Sequence, residues 1–505
     1  VSLLQKIPSA FALSPTIAGM PHGVNEVAML AHMGVVVPSP IEHYYSWPRE
    51  HKFIPAPFKH QIATAAFAVT NPHGFILNDI GTGKTASALW AADYLMETGA
   101  GHKALVIAPL STLERVWGDA LFIHFKHRKF SVLHGSAERR KKLLAQPRDF
   151  YIVNHDGVAV IQKELAARPD IDIIIIDEVA VYRNKQTGKW KVIESLIYPG
   201  KGGGPPKPWV WGLTGTPIPN SPEDAYGQCR LVSPTMVPKF FTQFRNMVME
   251  HQSTYVWTPR PEALDIVYNA MRPAIRFKRD ECLDLPGEIH QTRDVELSSE
   301  QTKHYKEIMR ELYTEVQGGK ITAMNEGVKL SKLLQIACGV VYDTSGTPRE
   351  IDAANRVETL LELIEQIDEK VIVFVPFTAV TGMLARELNK HWNFAIVTGD
   401  TPIGERNQIF SDFQSNKDVD IIAHPGCMSH GLTLTEASTI IWYAAIDSND
   451  TYQQANGRIT RAGQKYVANI IHLAGSAVER KTFKRLESRQ KVQGTLLEMV
   501  ERGEQ

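Results

Sequence analysis

Cysteine is scarce in this sequence. Four occur in 505 residues, Cys229, Cys282, Cys338 and Cys427, far apart and without a C-x-x-C pair. That excludes a disulfide framework and a cysteine zinc site, and it points to a reducing compartment. An excess of either charge is also missing. Lys plus Arg number 55 and Asp plus Glu 55, so the overall balance selects neither an acidic nor a basic partner, although it allows a local basic groove. No run approaches the roughly 18–20 uninterrupted apolar residues of a membrane span. The opening "VSLLQKIPSAFALSP" has one lysine and an apolar run broken by Pro8, unlike a signal peptide. Low-complexity tracts and short-period repeats are absent. These absences lead to the expectation of a monomer without membrane attachment, cytoplasmic in a bacterium or a virus-infected host and nuclear in a eukaryote.

What is present is an ordinary globular composition, 43% apolar and 22% charged. A single core stops growing near roughly 250–300 residues, so two or three domains are expected. From about residue 73, short apolar runs alternate with helix-like segments: "GFIL", "ALVIA", "FYIVN", "IDIIIID" and "WVWGL". A second series, "VIVFV", "FAIVTG", "DIIAH", "TIIWYA" and "ANIIHL", begins near residue 355. Continuous apolar strands between helices imply parallel sheets covered on both faces. The expected fold class is therefore α/β, two parallel-sheet domains in tandem. The spans read as an N-terminal extension of unknown role (1–50), a first α/β domain (51–221), a mostly helical insert without a strand series (222–350), and a second α/β domain with a C-terminal helix (351–505). The Gly/Pro cluster "YPGKGGGPPKP" reads as a loop.

The stretch "LNDIGTGKT" follows the strand "GFIL" and precedes the helix "KTASALWAADYLM". Strand, turn and helix N-terminus are the context a phosphate-binding loop requires. Asn78 stands where the usual pattern has its first glycine; Gly81, Thr82 and Gly83 supply the turn. Lys84 would reach the β- and γ-phosphates, and the Thr85 hydroxyl would coordinate Mg²⁺. "IDIIIIDEVA" ends a strand in Asp177-Glu178, at the sheet edge where α/β proteins bind ligands. Asp177 would hold Mg²⁺, and Glu178 would orient or deprotonate an attacking water. Gln61 in "FKHQ" has an amide that can pair with N6 and N7 of adenine, which selects ATP over GTP. "WVWGLTGTP" brings Thr214, Gly215 and Thr216 to the same edge. The Gly/Pro loop precedes that strand and belongs at the opposite edge, as a spacer. In "YQQANGRITRAGQ", Gln454, Arg458 and Arg461 at i, i+4 and i+7 would share one helical face and project two guanidinium groups toward a γ-phosphate. His124, His127 and His134 lack cysteine or acidic partners at ligand spacing and read as surface residues.

In this order, "FKHQ", "NDIGTGKT", "ALVIAPLSTLERVW", "DEVAVYRN", "GLTGTPIPN", "IVTGDTPIGERNQIFSDF", "SHGLTLTEASTIIWY" and "QANGRITRAGQ" resemble the motifs of a Swi/Snf-type ATPase of helicase superfamily two. They span about residues 55 to 480. The resemblance implies two RecA-like domains and an ATP- and Mg²⁺-dependent motor that grips duplex or branched DNA by its phosphates. It would remodel forks, recombination intermediates or protein–DNA complexes. Ser111, Thr112, Arg183, Asn184, Thr398 and Gly399 are the implied DNA contacts; Thr214, Gly215, Thr216 and Gly431 are the implied coupling residues. The sequence departs from the family where Val179-Ala180 replaces Ala-His after the acidic pair, and where Ser429-His430-Gly431 replaces a more glycine-rich turn. "GLTLT" leans towards the annealing-helicase branch. A strand-separating DNA or RNA helicase is an alternative enzyme, and an ATP-gated scaffold that does not hydrolyse ATP is an alternative of another class.

Overall fold

The computed structural model describes residues 7–14, 16–48, 56–200, 205–253, 256–282, 286–317, 319–322, 326–415, 418–428, 433–461 and 463–502. The chain divides into two compact units, Val1–Cys282 with Gln493–Gln505, and Leu283–Val492.

In the first unit the apolar runs become strands: β1 (His73–Ile76), β2 (Lys103–Ala108), β3 (Phe130–Val132), β4 (Phe150–Asn154), β5 (Ile171–Asp177), β6 (Trp209–Leu213) and the short β7 (Ala274–Ile275). They form one sheet in the order β7-β1-β6-β5-β2-β4-β3, and every pair is parallel. Both faces of such a sheet are covered, so each strand must be apolar on both sides. Ile174 and Ile176 of β5 join Leu105 and Ile107 in the core on one face, while Ile173 and Ile175 join Ala104 and Val106 on the other. Each fully buried isoleucine contributes roughly 1.5–3 kcal/mol. The strand order sets β6 between β1 and β5, so the three strands that precede the phosphate loop, the Thr214 turn and the acidic pair end side by side.

Helices α1 (Lys59–Thr70) and α2 (Lys84–Glu97) flank the phosphate loop. Residues Ile41 and Tyr45 of the N-terminal extension are buried in the core that contains Trp90 and Tyr94 of α2, and Trp90 Nε1 donates to the Pro48 carbonyl at 2.9 Å. Lys201–Gly204 of the Gly/Pro cluster lie outside the described residues. Its Lys207 donates to the Ile171 carbonyl at 2.6 Å, at the start of β5, the edge opposite the phosphate loop.

The second unit repeats the plan. Strands β8 (Glu288–Asp294), β9 (Lys370–Phe374), β10 (Phe394–Val397), β11 (Asp420–Ala423), β12 (Ala437–Trp442) and β13 (Ala468–Ala474) lie in the order β8-β13-β12-β9-β11-β10, again all parallel. Alternate residues enter separate cores, Ile372 and Phe374 on one face, Val371 and Val373 on the other. Helices α3 (Asn449–Asn456) and α4 (Ala477–Arg502) precede and follow β13. Among the described residues no helix is long and apolar enough to cross a membrane.

Residues 222–350 depart from the helical expectation. Helices such as Ser299–Glu311 and Glu326–Ala337 are there, but so are three antiparallel pairs: Met249–Ser253 with Val256–Pro259, Tyr313–Val316 with Gly319–Thr322, and Val340–Tyr342 with Pro348–Glu350. The segment also supplies an edge strand to each main sheet, β7 and β8. These strands are short or polar and carry no apolar run; β8, "EIHQTRD", is exposed along almost its whole length. The division between the units falls within this segment, after Cys282.

Candidate active site

After β1 the chain turns through Leu77–Gly83 into α2. Gly81 (φ 89) and Gly83 (φ 86) adopt left-handed backbone, which any side chain would strain. At Gly83 a Cβ would also lie 2.1 Å from the Gln61 amide nitrogen, so α1 and the loop close directly on one another. Asn78 is not among the residues with positive φ. Its buried side chain turns away from the loop and donates Nδ2–H to Thr64 Oγ1 on α1 at 2.8 Å. The usual first glycine is not required here because the backbone stays in a region open to every residue.

The Lys84 ammonium donates to the carbonyls of Asn78 at 2.8 Å and Asp79 at 3.1 Å. Burial pushes its pKa down, while Glu178, Asp177 and Asp79 oppose that shift. Thr85 follows, half-buried in the first turn of α2. Gln61 is buried: its Oε1 accepts Phe58 N–H at 3.1 Å and its Nε2 donates to the Thr82 carbonyl at 3.2 Å. The observed partners of this amide are thus its own helix end and the phosphate loop. His60 donates Nε2–H to the same Thr82 carbonyl at 2.8 Å, a bond that fixes the tautomer of a ring whose pKa burial lowers.

Two strands from β1, β5 ends in Asp177. Its Oδ2 accepts the indole N–H of Trp117 at 3.0 Å, and its Oδ1 accepts Glu178 N–H at 3.1 Å. Burial raises the carboxyl pKa; the Trp117 bond and the charge of Lys84 pull it back. Glu178 has a left-handed backbone, φ 51 and ψ 51, a cost of order 1–3 kcal/mol of the kind that concentrates at functional sites. Between the two strands, buried Thr214 donates its backbone N–H to the Ile76 carbonyl at 3.1 Å, and its Oγ1 accepts Thr216 N–H at 3.0 Å. A Cβ on Gly215 would sit 3.6 Å from the Asn78 carbonyl. The first unit therefore brings Lys84, Asp177, Glu178 and the Thr214–Thr216 turn to one sheet edge.

Trp117 was not singled out in the sequence, although it ends the quoted "STLERVW". It lies fully buried on a π-helical turn, Leu113–Gly118, an irregularity frequent at functional sites. Groups that orient a metal-ligating carboxylate, the role the sequence leads one to expect of Asp177, typically change metal affinity 10–100-fold when removed. Trp117→Phe keeps the ring and removes the N–H. The Mg²⁺ concentration for half-maximal ATP hydrolysis should rise by roughly tenfold or more, with little change in melting temperature; an unchanged Mg²⁺ titration would refute the orienting role.

The second unit corrects one expectation. Helix α3 ends at Asn456, and Gly457 is its C-cap. Gln454 lies on the helix, but Arg458 and Arg461 lie in the turns beyond it, so the three do not share one helical face. Arg458 is buried and its Nε donates to the Gln454 carbonyl at 2.9 Å. Arg461 is half-buried, with Nε donating to the Gly457 carbonyl at 2.9 Å. Gln454 is buried too; its Nε2 donates to Asp450 at 3.0 Å, while its Oε1 has no partner among the described residues. Gly431, with Ser429 and His430, lies outside the described residues.

Among the implied DNA contacts, Ser111 is exposed, but Thr112 is buried and spends its hydroxyl on the Pro109 carbonyl at 2.9 Å. Arg183 and Asn184 are exposed. The Arg183 Nε lies 3.9 Å from Asp224, and the Asn184 Oδ1 accepts Gln186 N–H at 2.9 Å. Thr398 is buried with its carbonyl accepting Arg406, while Gly399 stands open. His134 is exposed and His124 half-buried. His127 is more than a surface residue: its Nε2 meets the buried Asp93 carboxylate at 3.0 Å. Arg128 and the Tyr45 hydroxyl bond the same carboxylate.

A phosphate loop, an acidic pair and a connecting Thr-Gly-Thr turn on adjacent parallel strands, followed by a second α/β unit, define a helicase-type ATPase core of superfamily two. Within it the chain belongs to the SNF2-related family: the SNF2-related domain matches residues 44–341, and the helicase conserved C-terminal domain matches residues 355–463. Protein p41 of Acyrthosiphon pisum secondary endosymbiont phage 1 is 26% identical over 89% of this chain and 99% of its own length. The SWI/SNF-related matrix-associated actin-dependent regulator of chromatin subfamily A-like protein 1 of Xenopus laevis is 24% identical over 81% of this chain, which spans 40% of that relative's length. The solved Sulfolobus solfataricus SWI2/SNF2 ATPase core in complex with dsDNA shares 21% identity over 88% of this chain and 94% of its own, with a TM-score of 0.41. At that score the family match carries the assignment.

Proposed function

We propose that the chain is an ATP-driven motor that tracks along duplex or branched DNA and remodels forks, recombination intermediates or protein–DNA complexes. One observation carries this reading: in a chain of the SNF2-related family, the ends of β1, β6 and β5 deliver Lys84, Thr214 and Asp177-Glu178 to one edge. Lys84 serves the β- and γ-phosphates, and Glu178 orients or deprotonates the attacking water. Thr85 and Asp177 supply hard oxygen donors of the kind Mg²⁺ selects, and the two N–H groups on Asp177 hold its carboxylate in place. Mg²⁺, when bound, neutralises phosphate charge. Gln61 and Gln454 serve nucleotide binding, Arg458 and Arg461 stabilise charge on the transferred phosphoryl group, and Thr214–Thr216 with Gly431 couple the ATP cycle to movement. Exposed Ser111, Arg183, Asn184 and Gly399 contact DNA phosphates; the backbone N–H groups of buried Thr112 and Thr398 already donate to the Pro109 carbonyl at 3.0 Å and to Thr401 Oγ1 at 2.9 Å, so these two shape the turns that carry their exposed neighbours.

The test is steady-state ATP hydrolysis by the full chain alone, with single-stranded DNA, with duplex and with a branched junction. Duplex or junction should accelerate turnover severalfold or more, and Glu178→Gln should abolish the response. A low rate equal across all four conditions would sink the motor reading. Release of a displaced strand from tailed duplexes would instead identify a strand-separating helicase.

A further inference from the structure

The ladder between β7 and β1 does not stop where the strands end. Phe75 N–H donates to the Pro273 carbonyl at 2.9 Å, Leu77 N–H to Ile275 at 2.8 Å and Asp79 N–H to Phe277 at 3.0 Å. Residues 273–277 therefore run beside β1 and on into the phosphate loop. Side chains extend the attachment. Arg276 Nη2 meets Asp79 Oδ1 at 2.8 Å, and its Nη1 donates to the Leu77 carbonyl at 2.8 Å. The other carboxylate oxygen, Oδ2, accepts Arg279 N–H at 3.0 Å. The Arg276 side chain is 6% exposed, so this ion pair is shielded from solvent on the arginine side, where such pairs are costly to break.

Asp79 thus faces two ways. Its carboxylate holds Arg276 and the start of the short helix Arg279–Cys282, where the chain first leaves the first unit. Its backbone carbonyl accepts the Lys84 ammonium and, at 2.8 Å, the Thr82 hydroxyl. A phosphate in the loop competes for that ammonium and for the loop N–H groups, and any shift of Asp79 is handed to Arg276 and Arg279. We infer that the Asp79–Arg276 pair is a latch that reports nucleotide occupancy of the loop to the segment by which the chain leaves the first unit. Arg276 acts here as a positioning residue, and the inference rests on the reading of the loop as an ATP site.

Hydrogen exchange of the full chain, with and without a non-hydrolysable ATP analogue and Mg²⁺, tests it. In the wild type the amides of both 79–85 and 274–282 should change their exchange on nucleotide addition. In Arg276→Gln the loop should still respond and 274–282 should not. DNA-stimulated turnover should fall within the roughly 5–150-fold range of site-to-site coupling, with nucleotide Kd altered less than about threefold. Arg276→Lys should restore part of both responses. If the wild-type loop responds while 274–282 is silent, or if Arg276→Gln behaves as wild type, the latch is overturned and the ATP site stands. If no nucleotide binds, the ATP reading itself fails. Should Arg276→Gln melt early, Asp79→Asn, which keeps an acceptor for Arg279 N–H, must show the same loss of the 274–282 response, and its retention would overturn the latch.

Discussion

Lys84→Ala and Glu178→Gln are each expected to lower ATP hydrolysis by on the order of 10²–10⁴-fold, the contribution of a well-placed catalytic base or charge, and to do so by different routes. Lys84 is the cation at the mouth of the loop, and its removal should also weaken nucleotide binding. Glu178→Gln preserves size and backbone, so nucleotide should bind near neutral pH while turnover is lost. The electrostatics add a second signature. Burial lowers the Lys84 pKa, and Glu178 is the first of three carboxylates that support the charged form. Replacing it with an amide removes that support, so the lysine loses its proton at lower pH than in the wild type. Nucleotide affinity of Glu178→Gln should therefore decline earlier as pH rises. Binding curves of a fluorescent ATP analogue from pH 7 upward check this, and superimposable wild-type and mutant profiles would contradict it.

The largest stability effect is expected in the second unit, at Arg356. Its guanidinium, 1% exposed at the side chain, meets the fully buried Glu479 at 2.6 Å. It also donates to the carbonyls of Tyr443, Ala337 and Leu473. One side chain thereby satisfies the chain just past β12, the end of helix Glu326–Ala337 and β13. Glu479 completes a reciprocal cap at the start of α4: its Oε2 accepts Ser476 N–H at 3.0 Å, and its own N–H donates to Ser476 Oγ at 3.2 Å. Arg356→Met leaves a buried carboxylate without its counter-charge and removes the guanidinium donor from the Tyr443, Leu473 and Ala337 carbonyls, of which Ala337 keeps the Gln301 amide at 3.0 Å. Loss of one partner of such a pair costs about 3–5 kcal/mol, which at roughly 2–4 °C per kcal/mol is a fall of about 6–20 °C in the melting temperature of the second unit. Glu479→Gln combined with Arg356→Met should recover part of this, because no unpaired charge is left. Calorimetry of the wild type and the two variants decides; a single mutant within about 1 kcal/mol of wild type would show that solvent reaches the pair.

The sheets were legible because burial on both faces leaves a mark: "IDIIIID" and "TIIWYA" admit little but a covered strand. That Lys84, Thr214 and Asp177-Glu178 meet at one sheet edge was legible for the same reason, since each motif sits where such a run stops. Contacts that join distant segments were not. Nothing in "PAIRFKR" announces that Arg276 holds Asp79, and nothing near Arg356 points to Glu479, because these pairs form only when the fold brings them together. Strand β8 escaped because an exposed edge strand needs no apolar run. The arginine face failed on one residue: Gly457 caps α3, and helical spacing cannot be extrapolated past a cap. Trp117 stood in a quoted motif without being singled out, since its indole N–H reveals its partner only in three dimensions.

Asn78 shows what the loop requires at its first position. The conformational freedom of glycine is demanded at Gly81 and Gly83 and nowhere before them. At the first place the need is for a side chain that can leave the anion's path and settle against α1. Glycine there would delete the tie to Thr64, open a small void beneath the turn and enlarge the ensemble of the unfolded chain. A pattern written with an obligatory glycine would pass over this protein, and an engineer who restored the missing letter would slacken the cradle it was meant to mend.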